Sequence, residues 1–130
     1  MYQRLAFKKF SDGRGDLVPI EFGQKNNPTE VPFDVKRCYY ISAPTNDAVR
    51  GKHAHHDLEQ VIICIHGSFT LVLDDGSKRE EIFLDNNHTG IHIKSPIWRE
   101  LKGFSKGCVI LVLASQHYDC LLYTSDAADD

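Results

Sequence analysis

The sequence has no apolar run long enough to cross a bilayer. The longest, Cys108 to Ala114, is seven residues, against the roughly 20 that a spanning helix needs. Met1 to Phe10 lacks the apolar centre of a signal peptide, so a cytoplasmic protein is expected. There is no marked excess of one charge. Lys and Arg number 15 against 18 Asp and Glu, a formal net charge of -3, which gives no electrostatic reason to expect nucleic acid as a partner. The four cysteines (Cys38, Cys64, Cys108, Cys120) show no CxxC spacing, and two sit inside apolar runs, so buried thiols are expected rather than disulfides or zinc ligands. No stretch keeps a helical period of apolar residues over three turns. What is present is an ordinary globular mix, 42% hydrophobic and 25% charged over 130 residues, enough for one packed domain and too little for two.

The last eleven residues, CLLYTSDAADD, do not continue the pattern before them. They resemble the conceptual translation of a sequencing adapter, so 120–130 is expected to be a non-native tail replacing the original C-terminus, with 1–119 as the domain. The tail carries Asp126, Asp129 and Asp130 and no base, which leaves 15 acids against 15 bases before it.

Short apolar stretches recur between turn signals: Asp16–Phe22, Arg37–Ser42, Gln60–His66, Ser68–Leu73, Glu80–Leu84, Gly90–Ile93 and Cys108–Ala114. Many strand-length runs at near-even spacing predict an all-β fold, a single small jelly-roll barrel. His66-Gly67-Ser68 and Asp74-Asp75-Gly76 read as turns, making residues 60–84 a predicted β-meander.

The segment Arg50-Gly51-Lys52-His53-Ala54-His55-His56 carries the chemistry. In extended chain His53 and His55 share a face, and paired imidazoles can serve as metal ligands or as acid–base groups. His-x-His, four residues, a carboxylate, six residues and Gly is the first cupin motif, met here by His53, His55, Gln60 and Gly67. Gln60 holds the carboxylate place, and Glu59, one residue earlier, falls on the opposite face of a regular strand. The second motif supplies Gly90 and Pro96, and then Leu101 where a third histidine is due. Two of the usual ligands are missing, so no metal and no other cofactor is expected.

RGKHAH (50–55), GRGDL (13–17), PFDVKRCYYI (32–41), LVLDDG (71–76), IWRE (97–100) and LASQHYD (113–119) together resemble the nucleotide-sugar 3,4-ketoisomerases of the WxcM-like cupins, over residues 3–119. The resemblance implies a metal-independent isomerase acting on dTDP-4-keto-6-deoxyglucose, in deoxyamino-sugar and surface-polysaccharide (O-antigen) biosynthesis. Moving a carbonyl from C4 to C3 needs a base at C3, stabilisation of an enediolate and an acid at C4, work an imidazole pair can do near neutral pH. His53 matches the family's base and His55 its proton-transfer partner, with the division between them open. Arg37 and Tyr39 share one strand face, Cys38 and Tyr40 the other. The family pattern makes Tyr39 a hydrogen-bond donor to the sugar, and Arg14, Arg37, Arg50 and Arg99 candidates for clamping the diphosphate, some of them plain surface charges. Gln60 joins the substrate-binding set. Trp98 either stacks on thymine or fills the barrel mouth.

The other histidines carry less. His56 is out of phase with the pair, His88 lies in an Asn-Asn turn, His66 sits at a strand end, His92 is a weak candidate for the cavity, and His117 adjoins the tail. The alternative function is a non-catalytic cupin that binds a sugar or nucleotide sugar; a metal-dependent dioxygenase or phosphomannose-type isomerase is disfavoured by Gln60 and Leu101. A homodimer is expected, because a small barrel gains by covering its strand edges, with no membrane partner.

Overall fold

The computed structural model describes residues 1–23, 27–42, 45, 49–53, 58–94 and 96–117, apart from the side chains of 51–53. These residues form eleven β-strands: β1 (Tyr2–Ala6), β2 (Phe10–Asp12), β3 (Gly15–Leu17), β4 (Arg37–Ser42), β5 (Arg50–His53), β6 (Glu59–His66), β7 (Phe69–Asp74), β8 (Arg79–Leu84), β9 (Thr89–Lys94), β10 (Trp98–Lys102) and β11 (Val109–Ala114). Two antiparallel sheets face each other, one ordered β1-β9-β6-β11-β4 and the other β5-β10-β7-β8, while β2 and β3 make a separate hairpin. The all-β jelly-roll expectation holds. No helix of the described residues is long and apolar enough to cross a membrane.

The apolar runs are explained by two separate cores. Inward residues of both sheets, among them Ile62, Phe69, Leu71, Ile82, Ile91, Leu101 and Ile110, pack into one cluster between the sheets. The opposite face of the five-stranded sheet is also covered. Val61, Ile63 and Leu113 pack there against Leu5, Phe7, Val31 and Phe33, with Val18, Ile20 and Val35 at the margin. β6 is therefore apolar without alternation, because both its faces lose water. β4, at the sheet edge, alternates: Arg37, Tyr39 and Ile41 are half-buried, and Cys38, Tyr40 and Ser42 exposed.

Three expectations need correction. The run 16–22 is a strand only as far as Leu17; Pro19 lacks the N–H a ladder needs, and the chain instead lays Val18 and Ile20 over the outer core. Residues 60–84 are not a meander, since β6 and β7 belong to different sheets and only β7 and β8 form a hairpin. Cys38 is exposed, whereas Cys64 and Cys108 are buried thiols, and burial pushes the Cys64 thiol up to about 12. β1, β2, β5 and β10 lie outside the runs read as strands, being short or polar.

The corner from one sheet to the other is Gly67. Its φ is +80°, and a Cβ there would lie 2.3 Å from Ser105 Oγ and 3.1 Å from Cys108 Cα. Ser105 Oγ accepts from Ser68 N at 2.9 Å, and Ser105 N donates to Ser68 O. Gly67→Ala should lower the unfolding free energy by about 2 kcal/mol, from a left-handed residue and a displaced hydrogen bond. An unchanged urea midpoint would show that the corner yields without cost. Gly90 is also a close approach: a Cβ would meet Phe7 and Val61 side-chain atoms at 2.8 Å, so its lack of a side chain lets Phe7 lie against the outer face.

Candidate active site

The inner face of the barrel is polar where β4, β6 and β11 meet at one end. Ala114 of β11 is the Cα partner of both Arg37 and Gln60. Antiparallel partners share a face, so this methyl-sized residue leaves room between two long polar side chains. Arg37 lies over the Tyr39 ring, its Cζ 5.2 Å from the ring centroid. Gln60 Nε2 donates to Tyr39 Oη at 3.3 Å.

Arg99 comes from the opposite sheet. Alternation along β10 turns Arg99 and Leu101 inward and leaves Trp98, Glu100 and Lys102 on the other face. Arg99 is 2% exposed, and a guanidinium so buried needs acceptors. Its Nε and Nη2 donate to the carbonyl of Ile97 at 3.3 and 3.0 Å, and its Nη1 donates to Gln60 Oε1. A continuous polar row thus runs from β10 through β6 to β4: Arg99, Gln60, Tyr39, with Arg37 against the Tyr39 ring.

The row is joined by β5 through backbone register. His53 is the Cα partner of Arg99 and Arg50 of Leu101, two steps on β10 set against three on β5, which is a bulge. Arg50 is half-buried, and its buried Nε has no hydrogen-bond partner among the described residues. An unsatisfied guanidinium nitrogen favours an anionic oxygen. His55 and His56 lie outside the described residues.

The remaining candidates are not brought to this row. Arg14 sits in the β2–β3 turn, 92% exposed along its side chain and paired with Asp12 at 2.7 Å; hydrogen bonds from its guanidinium and backbone N–H hold the Asp12 carboxyl below the usual range. Trp98 is on the far face of β10, its indole N–H donating to Glu100 Oε1 at 3.0 Å, so it does not fill the barrel. His92 lies on the outer face against Phe33, 2.8 Å from Glu59 Oε1, which also confirms the outward parity of Glu59. His66 and His117 are exposed, and His88 is half-buried beside Asn87. Two contributors escaped the sequence reading: the Ile97 carbonyl, which carries no side-chain signal, and the small Ala114, whose meaning depends on register.

A resident transition metal does not fit these residues. The carboxylate place is an amide already engaged by a guanidinium, the third-histidine place is Leu101 packed in the core, and the Arg99 charge opposes a cation. No three His, Cys, Asp or Glu side chains among the described residues converge.

Two facing antiparallel sheets enclosing this row define a cupin-type barrel with an arginine–amide–phenol site in place of a metal centre. The family model described as "FdtA: WxcM-like, C-terminal" matches residues 2–129, a span that takes in most of 120–130, itself outside the described residues. The TDP-4-oxo-6-deoxy-alpha-D-glucose-3,4-oxoisomerase of Aneurinibacillus thermoaerophilus is 46% identical over 115 residues, covering 88% of this chain and 79% of the relative. The crystal structure of QdtA, a sugar 3,4-ketoisomerase from Thermoanaerobacterium thermosaccharolyticum in complex with TDP, superposes with a TM-score of 0.87 at 38% identity, over 96% of this chain and 88% of that one. A 3,4-ketoisomerase from Helicobacter canadensis superposes with a TM-score of 0.87 at 39% identity, over 98% and 92%. The chain belongs to the FdtA, WxcM-like C-terminal family.

Proposed function

We propose that this protein is a sugar 3,4-ketoisomerase that converts TDP-4-keto-6-deoxyglucose into its 3-keto isomer. The observation that carries the reading is the row Arg99–Gln60–Tyr39, its first two members buried, alongside the strand that bears His53. Family membership and the likeness to TDP-sugar ketoisomerases support the substrate.

In this mechanism His53 takes the proton from C3, which the C4 carbonyl acidifies. The electrons move into an enediolate, and a proton returns to C4 through the imidazole pair, His55 acting as partner. The O3 hydroxyl proton passes to O4, so the carbonyl ends on C3 with no net gain or loss of electrons. Tyr39 donates a hydrogen bond to the sugar, and the fixed positive charge of Arg99 favours the enediolate over the neutral ketone. Arg50 and Arg37 hold the diphosphate. Arg14 and Trp98, on the hairpin and the outer face of β10, are left without a part in holding the sugar.

Incubating the protein with TDP-4-keto-6-deoxyglucose in deuterated water and following the sugar by NMR tests this directly. Deuterium entering C3 or C4 with appearance of the 3-keto product is expected; unchanged sugar would leave a non-catalytic binding protein. Arg50→Ala should weaken TDP binding by about 2 kcal/mol, near thirtyfold in Kd by calorimetry, if its buried nitrogen meets phosphate.

The same reading places the enzyme in the cytoplasm, where nucleotide sugars are made, as a homodimer serving deoxyamino-sugar and O-antigen synthesis. Support for the dimer comes from β4 and β8, each the last strand of its sheet among the described residues, where Tyr40 and Phe83 are exposed. Light scattering at the monomer mass would count against it.

A further inference from the structure

Gln60 is 2% exposed and has both ends of its amide engaged. Its orientation follows from its neighbours. A guanidinium can only donate, so the amide atom facing Arg99 Nη1 must be the oxygen, and the atom facing Tyr39 must be the NH2 group, itself a donor only. The Tyr39 oxygen therefore accepts from Gln60, and the phenolic proton is directed to another acceptor. A carboxylate in this place, as in the cupin motif, would accept from both sides and draw the Tyr39 proton toward itself. The substitution that removes a metal ligand thus also sets which way the phenol donates.

Resting on the ketoisomerase reading above, we propose that Gln60 is a positioning residue: locked by the permanent charge of Arg99, its amide fixes Tyr39 as a hydrogen-bond donor to the sugar. Gln60 itself does not touch the substrate. Its two bonds span the two sheets, from β10 to β4, so the polarity of the row is set by one buried amide. The carbonyl of Ile97 holds the other side of the Arg99 guanidinium, which prevents the guanidinium from turning to offer a different arrangement.

The test is a double-mutant cycle with Gln60→Glu and Tyr39→Phe, measuring kcat and KM for TDP-4-keto-6-deoxyglucose and the thermal midpoint of each protein. Glutamate has nearly the same shape and keeps the bond from Arg99, but reverses the bond with Tyr39. The expected result is a 10- to 100-fold fall in kcat for Gln60→Glu, with KM within threefold and the fold retained. In the Tyr39→Phe background the same change should cost no more than about twofold, since there is no phenolic proton left to redirect. A structural role alone would give equal losses in both backgrounds, and that additivity would overturn the proposal, as would normal turnover in Gln60→Glu. Should Gln60→Glu not fold, Gln60→Met run through the same cycle decides the matter by the same criterion of coupling or additivity. The wild-type protein serves as the control: its failure to isomerise the sugar would remove the ketoisomerase reading, whereas an active wild type with additive variants removes only the role given to Gln60.

Discussion

His53→Asn is expected to leave TDP-sugar binding intact and to lower turnover by about two to four orders of magnitude, the usual contribution of a positioned general base. Asparagine keeps a polar group of similar reach but has no nitrogen that takes up a proton near neutral pH. Binding should survive because the diphosphate is assigned to guanidinium groups on other positions, among them Arg50, whose buried Nε has no partner among the described residues. His53 is joined to the polar row through the β5–β10 ladder, opposite Arg99, so loss of the imidazole need not disturb Gln60 or Tyr39. His55→Asn should impair turnover by a smaller factor if that residue relays the proton. Near-normal turnover in His53→Asn with unchanged affinity would mean that the base lies elsewhere.

The second large effect concerns stability. Phe69 is fully buried, stacks on Phe104 with ring centroids 6.1 Å apart, and stands opposite Leu84 in the β7–β8 hairpin. Phe69→Ala removes a ring that both sheets pack around, and should cost about 3–5 kcal/mol from lost transfer energy and the cavity left behind. Against a typical total of about 5–15 kcal/mol, that is a large share, and the thermal midpoint should drop by about 15 °C or more. A shift of only a few degrees would show that the core closes over the missing ring.

Much of this molecule was legible because the period of its strands is two. The pairing of Arg37 with Tyr39 on one face and the outward placement of Glu59 followed from alternation alone, and β4 came out with the bounds read from the sequence. Alternation failed where burial is double. Residues 61–64 are apolar at every step because two clusters pack on opposite sides of β6, and nothing local in residues 60–84 says that β6 and β7 part into different sheets at Gly67. The site divides the same way. Gln60, Tyr39 and Arg99 were each singled out, but as separate contacts to substrate; that they bond to one another depends on register across three strands, which no single segment encodes. Trp98 is a candidate by residue type and Arg14 by the family pattern, and neither says which side of β10 an indole occupies or that Asp12 takes the Arg14 guanidinium.

The placement of β6 has a consequence for amide hydrogen exchange. It lies between β9 and β11, so its peptide groups are held on both edges, and it is covered on both faces by the two clusters. No local opening exposes it without parting two ladders and two packed layers at once. Its central amides, Val61 to Ile63, should exchange at the rate of whole-molecule unfolding, while those of the edge strands β4 and β8 exchange through smaller openings. Gln60 sits at the start of that slowest segment, so the residue that orients the phenol is anchored in the part of the chain that opens last.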